Sequence, residues 1–264
     1  MDFYHVNLVI LVLSCQRISA SPNENSINLA AEKTNAEEIS WSGKQLNDIP
    51  KGNTTIKRLD LAYNNILLLN SNIFQNRSYR DLTILDMHEN RLNYISPLAF
   101  KGMKKLESID LSFNNLKDID TYTFEQSRKL EKIDFTSNSI KLTKSKVFLV
   151  SPSLKTLVLA KNDIDQLYEL SFVGLKHLTH LILDENILNK IHPSCFKPLI
   201  DIQFLSLSNT GVMHLGVSMF TQIPRVINIE ATPLANRFIP PLTRIKKDQV
   251  TNLLRAEDFE RQNI

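Results

Sequence analysis

The chain has 264 residues, of which 42% are apolar and 22% are charged, and its formal net charge is +3. This apolar content is enough for one folded unit with a continuous core. The charge is mild for this length, so charge alone does not indicate nucleic acid as a partner. Beyond the N-terminus, no stretch is long and apolar enough to predict a membrane span.

The N-terminal sequence MDFYHVNLVILVLSCQRISA, residues 1–20, has the layout of a secretory signal peptide. An apolar core from Leu8 to Leu13 is followed by small residues, and Ala20 offers a cleavage position. Asp2 and the lack of Lys or Arg before the core are atypical, and they leave a buried first strand as the alternative. The polar SPNENS that follows favours the signal peptide. Because the C-terminal DFERQNI offers no anchor tail, we expect a secreted, extracellular protein with no membrane span in the mature chain.

One frame of apolar residues recurs along the chain, about every 24 residues. ILDMHENRLNYISPLAF, from Ile84 to Phe100, and SIDLSFNNLKDIDTYTF, from Ser108 to Phe124, are adjacent copies. Phenylalanine closes every copy, as Phe74, Phe100, Phe124, Phe148, Phe172, Phe196 and Phe220. Asparagine holds a second column, as Asn64, Asn90, Asn114, Asn138, Asn162 and Asn186, and Thr210 breaks it. Repetition at this period predicts a solenoid whose neighbouring units share one core.

In these columns the sequence resembles the extracellular leucine-rich repeat family, whose motif is L-x-x-L-x-L-x-x-N-x-L. The resemblance covers about Ile39 to Leu234 and extends to the ectodomains of Toll-type receptors and to secreted arthropod proteins of this class. It implies an N-terminal cap in ISWSGKQLNDIP, where Trp41 stands in place of the family's usual cysteine. The first full unit is two residues longer than the rest, near Asn76 to Tyr79.

The predicted fold class is α/β, a leucine-rich-repeat solenoid with a parallel concave β-sheet and an irregular or short-helical convex side. Each leucine-x-leucine pair, such as Leu59 and Leu61, forms a short strand that points two side chains into the core. Where the chain leaves the strand, an asparagine amide satisfies backbone groups that lose their sheet partners, so the asparagine column is expected to be structural. The predicted divisions are 21–55 (cap-like), 56–234 (about seven full repeats and a degenerate last one) and 235–264 (a cap or tail).

In the last division, Val250, Leu253 and Leu254 have helical spacing. Because a repeat array needs a cap over its open edge, this spacing favours a capping helix. A short tail that binds a partner is the alternative.

The residue between the two core leucines of each strand is expected to face outward on the concave sheet. This stripe is predicted as Asp60, Asp86, Asp110, Asp134, Val158, Ile182, Ser206 and Glu230. Carboxylates about 5 Å apart in water repel by roughly 1 kcal/mol per pair at most, so a solvated acidic face is tolerable. A basic partner or bound calcium are the functional alternatives for the aspartates.

The aliphatic half of the stripe predicts a partner-binding patch. Val158 and Ile182 are expected side by side, with Phe204 beside His180 on the same face. An apolar patch on an open sheet indicates a partner or a tail folded over it, and repeat solenoids generally bind through this face. Tyr63 and Phe113 near the sheet edge extend the predicted contact.

The sequence contains no recognisable catalytic, cofactor-binding or metal-binding motif. Gly211 and Gly216 have phosphate-loop spacing, but Val217 stands where that motif needs lysine. His177 and His180 have no other ligand that completes a zinc set. Cys195 follows the apolar pattern and is predicted to be a buried thiol. We therefore expect that the protein is not an enzyme and binds no cofactor.

Two glycosylation sequons, at Asn53 and Asn76, map away from the sheet. They predict that at least one of these asparagines carries a glycan.

The sequence therefore predicts a secreted protein that binds a macromolecule through its concave face. The resemblance implies an extracellular protein ligand most often, with a glycan or a microbial surface molecule as variants, and no nucleic acid. A soluble immune modulator or receptor decoy is one form of this function. An adhesion or extracellular-matrix component and an enzyme inhibitor that covers an active site are the alternatives.

Overall fold

The computed structural model describes residues 36–238, 240–246 and 249. The predicted signal peptide and the predicted capping helix around Leu253 lie outside these residues. Within them, no helix is both long and apolar enough to cross a membrane.

Short strands and one short helix make up the regular structure of the described residues. The helix is α1 (Ile73–Asn76), and short 3-10 turns occur at Val217–Met219 and Ala235–Arg237. The strands are β1 (Glu38–Ser40), β2 (Arg58–Asp60), β3 (Leu68–Leu69), β4 (Ile84–Asp86), β5 (Tyr94–Ile95), β6 (Ser108–Asp110), β7 (Lys132–Asp134), β8 (Thr156–Val158), β9 (Gln166–Leu167), β10 (His180–Ile182), β11 (Lys190–Ile191), β12 (Phe204–Ser206), β13 (Val226–Asn228) and β14 (Arg244–Lys246).

One sheet runs along the whole solenoid in the order β1-β2-β4-β6-β7-β8-β10-β12-β13-β14. Its first nine strands are parallel and in register, so that Leu59, Leu85 and Ile109 are direct partners in β2, β4 and β6. Two further sheets of two strands each, β3-β5 and β9-β11, lie later in their repeats. The predicted leucine-rich-repeat solenoid with a parallel sheet is confirmed.

The middle residue of each repeat strand is buried, and the two flanking residues lie on the opposite face. This alternation is the two-residue period of a strand with one face on the core. The second leucine of each pair follows the strand and is also buried, as for Leu61 and Leu111. Each repeat therefore buries two side chains in the core before the chain turns.

The turn out of each strand places a residue other than glycine in the left-handed backbone region. These residues have φ between 53° and 56° and are Tyr63, Glu89, Phe113, Ser137, Lys161, Glu185, Asn209 and Ala231. The conformation costs each residue about 1–2 kcal/mol. In return, its N–H donates to the next repeat, as Phe113 N does to the Thr136 carbonyl at 2.7 Å. In the repeats that carry the asparagine column, the next residue in the chain is the column asparagine.

Each column asparagine bonds the backbone of two repeats. Asn114 Nδ2 donates to the carbonyls of Leu111 and Ser112 in its own repeat and to Met87 O in the preceding repeat, at 3.0–3.1 Å. Its Oδ1 accepts the N–H of Leu92 at 2.9 Å. The same pattern recurs along the column. At Thr210 the side chain is shorter, and its Oγ1 donates to Leu207 O at 2.6 Å.

The phenylalanine column packs behind the sheet as a ladder of rings. Phe100 stacks between Phe74 and Phe124, with ring centroids 5.4 and 5.1 Å away. The ladder changes direction at Phe135, whose ring lies edge-on to Phe124 and Phe148 at 6.3 and 6.2 Å. Phe135 takes the position that a leucine fills in most other repeats, so its larger ring reaches into the phenylalanine column.

Aromatic residues close the N-terminal end, where Trp41 stands in place of the family's usual cysteine. Trp41 and Tyr79 are both buried, and Gly52 packs against the tyrosine ring so closely that a Cβ there would lie 2.2 Å from Cε1. An Arg77–Asp48 ion pair closes the same junction. The two extra residues of the first repeat follow α1 and bring Tyr79 under the cap.

An antiparallel strand closes the other end of the sheet. β14 pairs with β13, and Ile245 is fully buried opposite Ile227. A strand of reversed direction breaks the parallel series and covers the last open edge, which is the role that a solenoid cap must fill.

Candidate functional site

The strand register places the outward stripe as a continuous line across the concave sheet. Asp60, Asp86, Asp110 and Asp134 are successive partners, and Val158 and Ile182 follow them. The line then continues with Ser206 and Asn228. The assignment of Glu230 to the stripe was wrong, because the last repeat is two residues shorter than the 24-residue step that led to Glu230.

Each aspartate of the stripe is half-buried and already bound to its own turn. Its Oδ1 accepts the N–H of the residue two positions later, as in Asp110 with Ser112 and Asp134 with Thr136, both at 2.9 Å. The hydroxyls of Ser112 and Thr136 donate to the same oxygens at 2.6 Å. These carboxylates therefore stabilise the strand exit. The pattern Asp-x-Ser/Thr/His was visible in the sequence and indicates such a turn.

Burial raises the pKa of Asp134 above its ordinary value, and the neighbouring Asp110 carboxylate adds to this effect, while hydrogen bonds from Thr136 oppose it. The pKa of Asp86 is also raised, again mainly by burial. A carboxylate whose pKa is higher in the folded than in the unfolded chain destabilises the fold while it is charged. That cost is relieved as the pH falls through the folded-state pKa.

Asp134→Asn is therefore expected to raise the free energy of unfolding at pH 7 by up to about 1 kcal/mol. The amide oxygen can still accept from Thr136, but the buried charge and its repulsion from Asp110 are gone. At pH 4 the gain should shrink, because the raised pKa leaves the wild-type carboxyl more protonated there than an ordinary aspartate. Urea unfolding at the two pH values measures the difference. The exposed Asp163→Asn is the control, and an equal gain from both variants would contradict this origin.

Among the described residues, Asp86, His88 and Asp110 have potential ligand atoms close enough together to hold a cation. One ligand atom from each lies within 4.8 Å of the others. His88 Nδ1 is already 2.6 Å from Asp86 Oδ1, and the two remaining carboxylate oxygens are too few for the six to eight oxygen ligands of calcium. The arrangement fits an Asp–His hydrogen bond and does not fit the calcium alternative.

The apolar half of the stripe forms a compact patch. Val158 and Ile182 are direct register partners, and His180 pairs with Phe204, whose ring centroid lies 5.9 Å from that of the imidazole. Val158, Ile182 and Phe204 are half-buried, and His180 is exposed. Partial desolvation of the imidazole lowers the pKa of His180 from its ordinary value, so the neutral form of the ring predominates at pH 7. We call these four residues the concave patch.

Polar groups border the concave patch on both sides. The aspartates lie on one side, and on the other Asn228 Nδ2 donates to Ser206 Oγ at 3.0 Å. Tyr63 and Phe113 are 58% and 49% exposed, but their repeats belong to the aspartate half. They therefore extend the aspartate stripe rather than the concave patch.

The remaining sequence candidates lie away from the concave patch. Asn76 is exposed at the end of α1, and Asn53 lies in the turn before β2, where its Oδ1 accepts from Thr55. Cys195 is fully buried, which raises the pKa of its thiol and favours the inert, protonated form. His177 bonds Asp201 at 2.8 Å.

Comparison with protein families matches the repeats directly. A BspA-type leucine-rich repeat region in six copies covers residues 93–227, and a further leucine-rich repeat match covers residues 54–116. The first match alone spans just over half of the chain. The chain belongs to the leucine-rich repeat family. No curated protein sequence matches it.

Solved structures of leucine-rich repeat proteins share the fold. The leucine-rich repeat domain of APL1B is 22% identical, with a TM-score of 0.55, over 79% of this chain and 68% of that one. The TLR13–ssRNA13 complex is 23% identical, with a TM-score of 0.50, over 66% of this chain and 28% of that one. The predicted similarity to Toll-type ectodomains is confirmed for the fold. A leucine-rich repeat solenoid is generally an interaction scaffold rather than an enzyme.

Proposed function

We propose that this leucine-rich repeat protein is secreted and binds an extracellular protein through the concave patch. The proposal rests on the change from aspartate to aliphatic residues along the outward stripe, between Asp134 and Val158. Four successive repeats place an aspartate at the outward position, and the next two place Val158 and Ile182 there, with Phe204 opposite His180 on the following strand.

The chemistry of the concave patch fits an apolar anchor from a partner. Half-buried aliphatic and aromatic side chains beside a neutral imidazole lose little hydration when a partner covers them. The aspartate half adjoins it, so a partner with basic groups beside its apolar anchor would bind in one orientation. The buried anchor would supply most of the binding energy and the acidic half would raise the association rate.

A soluble immune modulator or receptor decoy is the specific form of this function that we propose. The solved structures that share the fold include TLR13, and the likeness at 23% identity extends to the fold alone. That structure is a complex with single-stranded RNA. The concave patch of this chain contains no cation, so its chemistry favours a protein over RNA as the ligand.

The test is affinity capture from extracellular fluid with the wild-type chain and an Ile182→Arg, Phe204→Arg double variant. The two introduced arginines would place unpaired charges in the interface with the partner, so the double variant should no longer capture it. The control is Leu170→Arg, Val173→Arg, which changes two aliphatic residues of 37% and 38% exposure in a later part of the repeat.

A partner retained by the wild type and the control but lost by the double variant supports the proposal. Equal retention by all three proteins contradicts it and places binding on another surface. Loss of folding in the double variant alone, seen as a lower melting temperature, would show that these side chains are core. If the protein is instead an enzyme inhibitor, the captured partner should be an enzyme that loses its catalytic activity in the complex.

A further inference from the structure

Exposed cations form a line in the loops that lead into three neighbouring strands. Arg80, Lys104 and Arg128 each stand four residues before the first residue of β4, β6 and β7. Because those strands are in register and about 4.8 Å apart, the three positions follow one another along the solenoid. Lys129 adjoins Arg128. We call these four residues the basic ladder.

The basic ladder carries charge that its neighbours do not neutralise. By contrast, Lys105 in the loop before β6 is paired with Asp81 at 2.8 Å, and Lys155 directly before β8 is paired with Glu131 at 2.6 Å. Within the described part of the chain, no ion pair or side-chain hydrogen bond involves Arg80, Lys104, Arg128 or Lys129. Their guanidinium and ammonium donors are therefore available to a ligand.

An open cavity of about 660 Å³ lies between two members of the basic ladder. It is lined by Lys104 and Arg128 together with Glu125 and Gln126. The two cations can hold anionic groups, while the Glu125 carboxylate and the Gln126 amide can bond hydroxyl groups. A ligand that carries both anionic groups and hydroxyls, such as a sulfated sugar, matches this set.

The same four lining residues disfavour nucleic acid. None of them is aromatic, so they offer no ring on which a base can stack.

We propose that the basic ladder binds a sulfated glycosaminoglycan, with sulfate groups on Lys104 and Arg128 and sugar hydroxyls toward Glu125 and Gln126. The polysaccharide runs along the solenoid from Arg80 toward Lys129. The basic ladder belongs to the loops before β4, β6 and β7, whereas the concave patch belongs to β8, β10 and β12. This binding is therefore independent of the concave patch and goes beyond the function proposed above.

The test measures binding of a heparin oligosaccharide to the purified full-length chain at physiological ionic strength. We expect Lys104→Ala, Arg128→Ala to weaken binding by about tenfold or more, because two charge-assisted contacts are lost. The matched control is Lys141→Ala, Lys144→Ala, which removes the same charge from an exposed loop of the next repeat. The control should retain wild-type affinity, and melting temperatures verify that all three proteins fold.

Three probes separate sulfated glycan from other anions. Chemically desulfated heparin should bind at least about tenfold more weakly than heparin, because it lacks the groups that the cations hold. Single-stranded RNA of equal charge and vesicles with anionic phospholipid should also bind more weakly. Equal losses in the ladder variant and the control, or binding of RNA or vesicles as tight as that of heparin, would overturn the proposal.

Discussion

Replacing Asn114 with alanine is expected to lower the free energy of unfolding by about 2–4 kcal/mol, because several buried backbone groups lose their partners. The N–H of Leu92 and the carbonyl of Met87 belong to the preceding repeat, so the loss weakens the contact between two repeats. Urea unfolding of the variant and the wild type, followed by circular dichroism, measures the change.

Asn115→Ala is the matched control for this prediction. Asn115 is the next residue in the chain and is exposed, so the variant should stay within about 0.5 kcal/mol of the wild type. Asn114→Thr should recover part of the loss, because Thr210 holds the equivalent position with one hydroxyl donor to Leu207. Equal stability of the Asn114 and Asn115 variants would contradict the structural role of the column.

Phe100→Ala is expected to cost about 3–5 kcal/mol of stability, since the removed ring leaves a cavity between two neighbours. Phe74 and Phe124 lie 5.4 and 5.1 Å away on either side, and they belong to rigid neighbouring repeats that cannot close the gap. Thermal and urea unfolding measure the loss.

Phe113→Ala removes the same ring from a surface position thirteen residues along the chain. Phe113 is 49% exposed, so its loss should cost less than about 1 kcal/mol. If Phe100→Ala were no more costly than Phe113→Ala, the phenylalanine column would not be the core of the convex side.

The repeat period predicted the fold because register and core follow from it directly. Once Leu59 and Leu85 are equivalent, their strands must pair in register, and the leucine, asparagine and phenylalanine columns follow. The prediction failed where the period changes. The last repeat is shorter, so Asn228 rather than Glu230 completes the stripe.

Features of the site that depend on single contacts could not be read from the period. The stripe predicted where Asp110 lies, but not that Ser112 occupies its Oδ1 and turns a surface charge into part of the strand exit. The basic ladder was not predicted, because its residues are surface positions outside the leucine, asparagine and phenylalanine columns of the repeat. The spacing of Arg80, Lys104 and Arg128 was a visible signal.

The contacts that close the N-terminal end of the solenoid could not be predicted from the sequence either. Trp41 stands where the family usually has a cysteine, but this does not show which contact replaces the cysteine. The replacement is Tyr79, which the two extra residues of the first repeat bring against Gly52. Such a contact joins residues from two separate units, the cap and the first repeat, and no spacing rule connects them.

Hydroxyl-radical footprinting of the chain with and without its captured partner tests the central claim most directly. Binding at the concave patch should protect Phe204 and His180 from oxidation by about fivefold or more, as expected for side chains buried in an interface core. Tyr122, which is 60% exposed in a later part of its repeat, should react equally in both states. Protection of Tyr122 with unchanged reactivity of Phe204 and His180 would contradict binding through the concave patch.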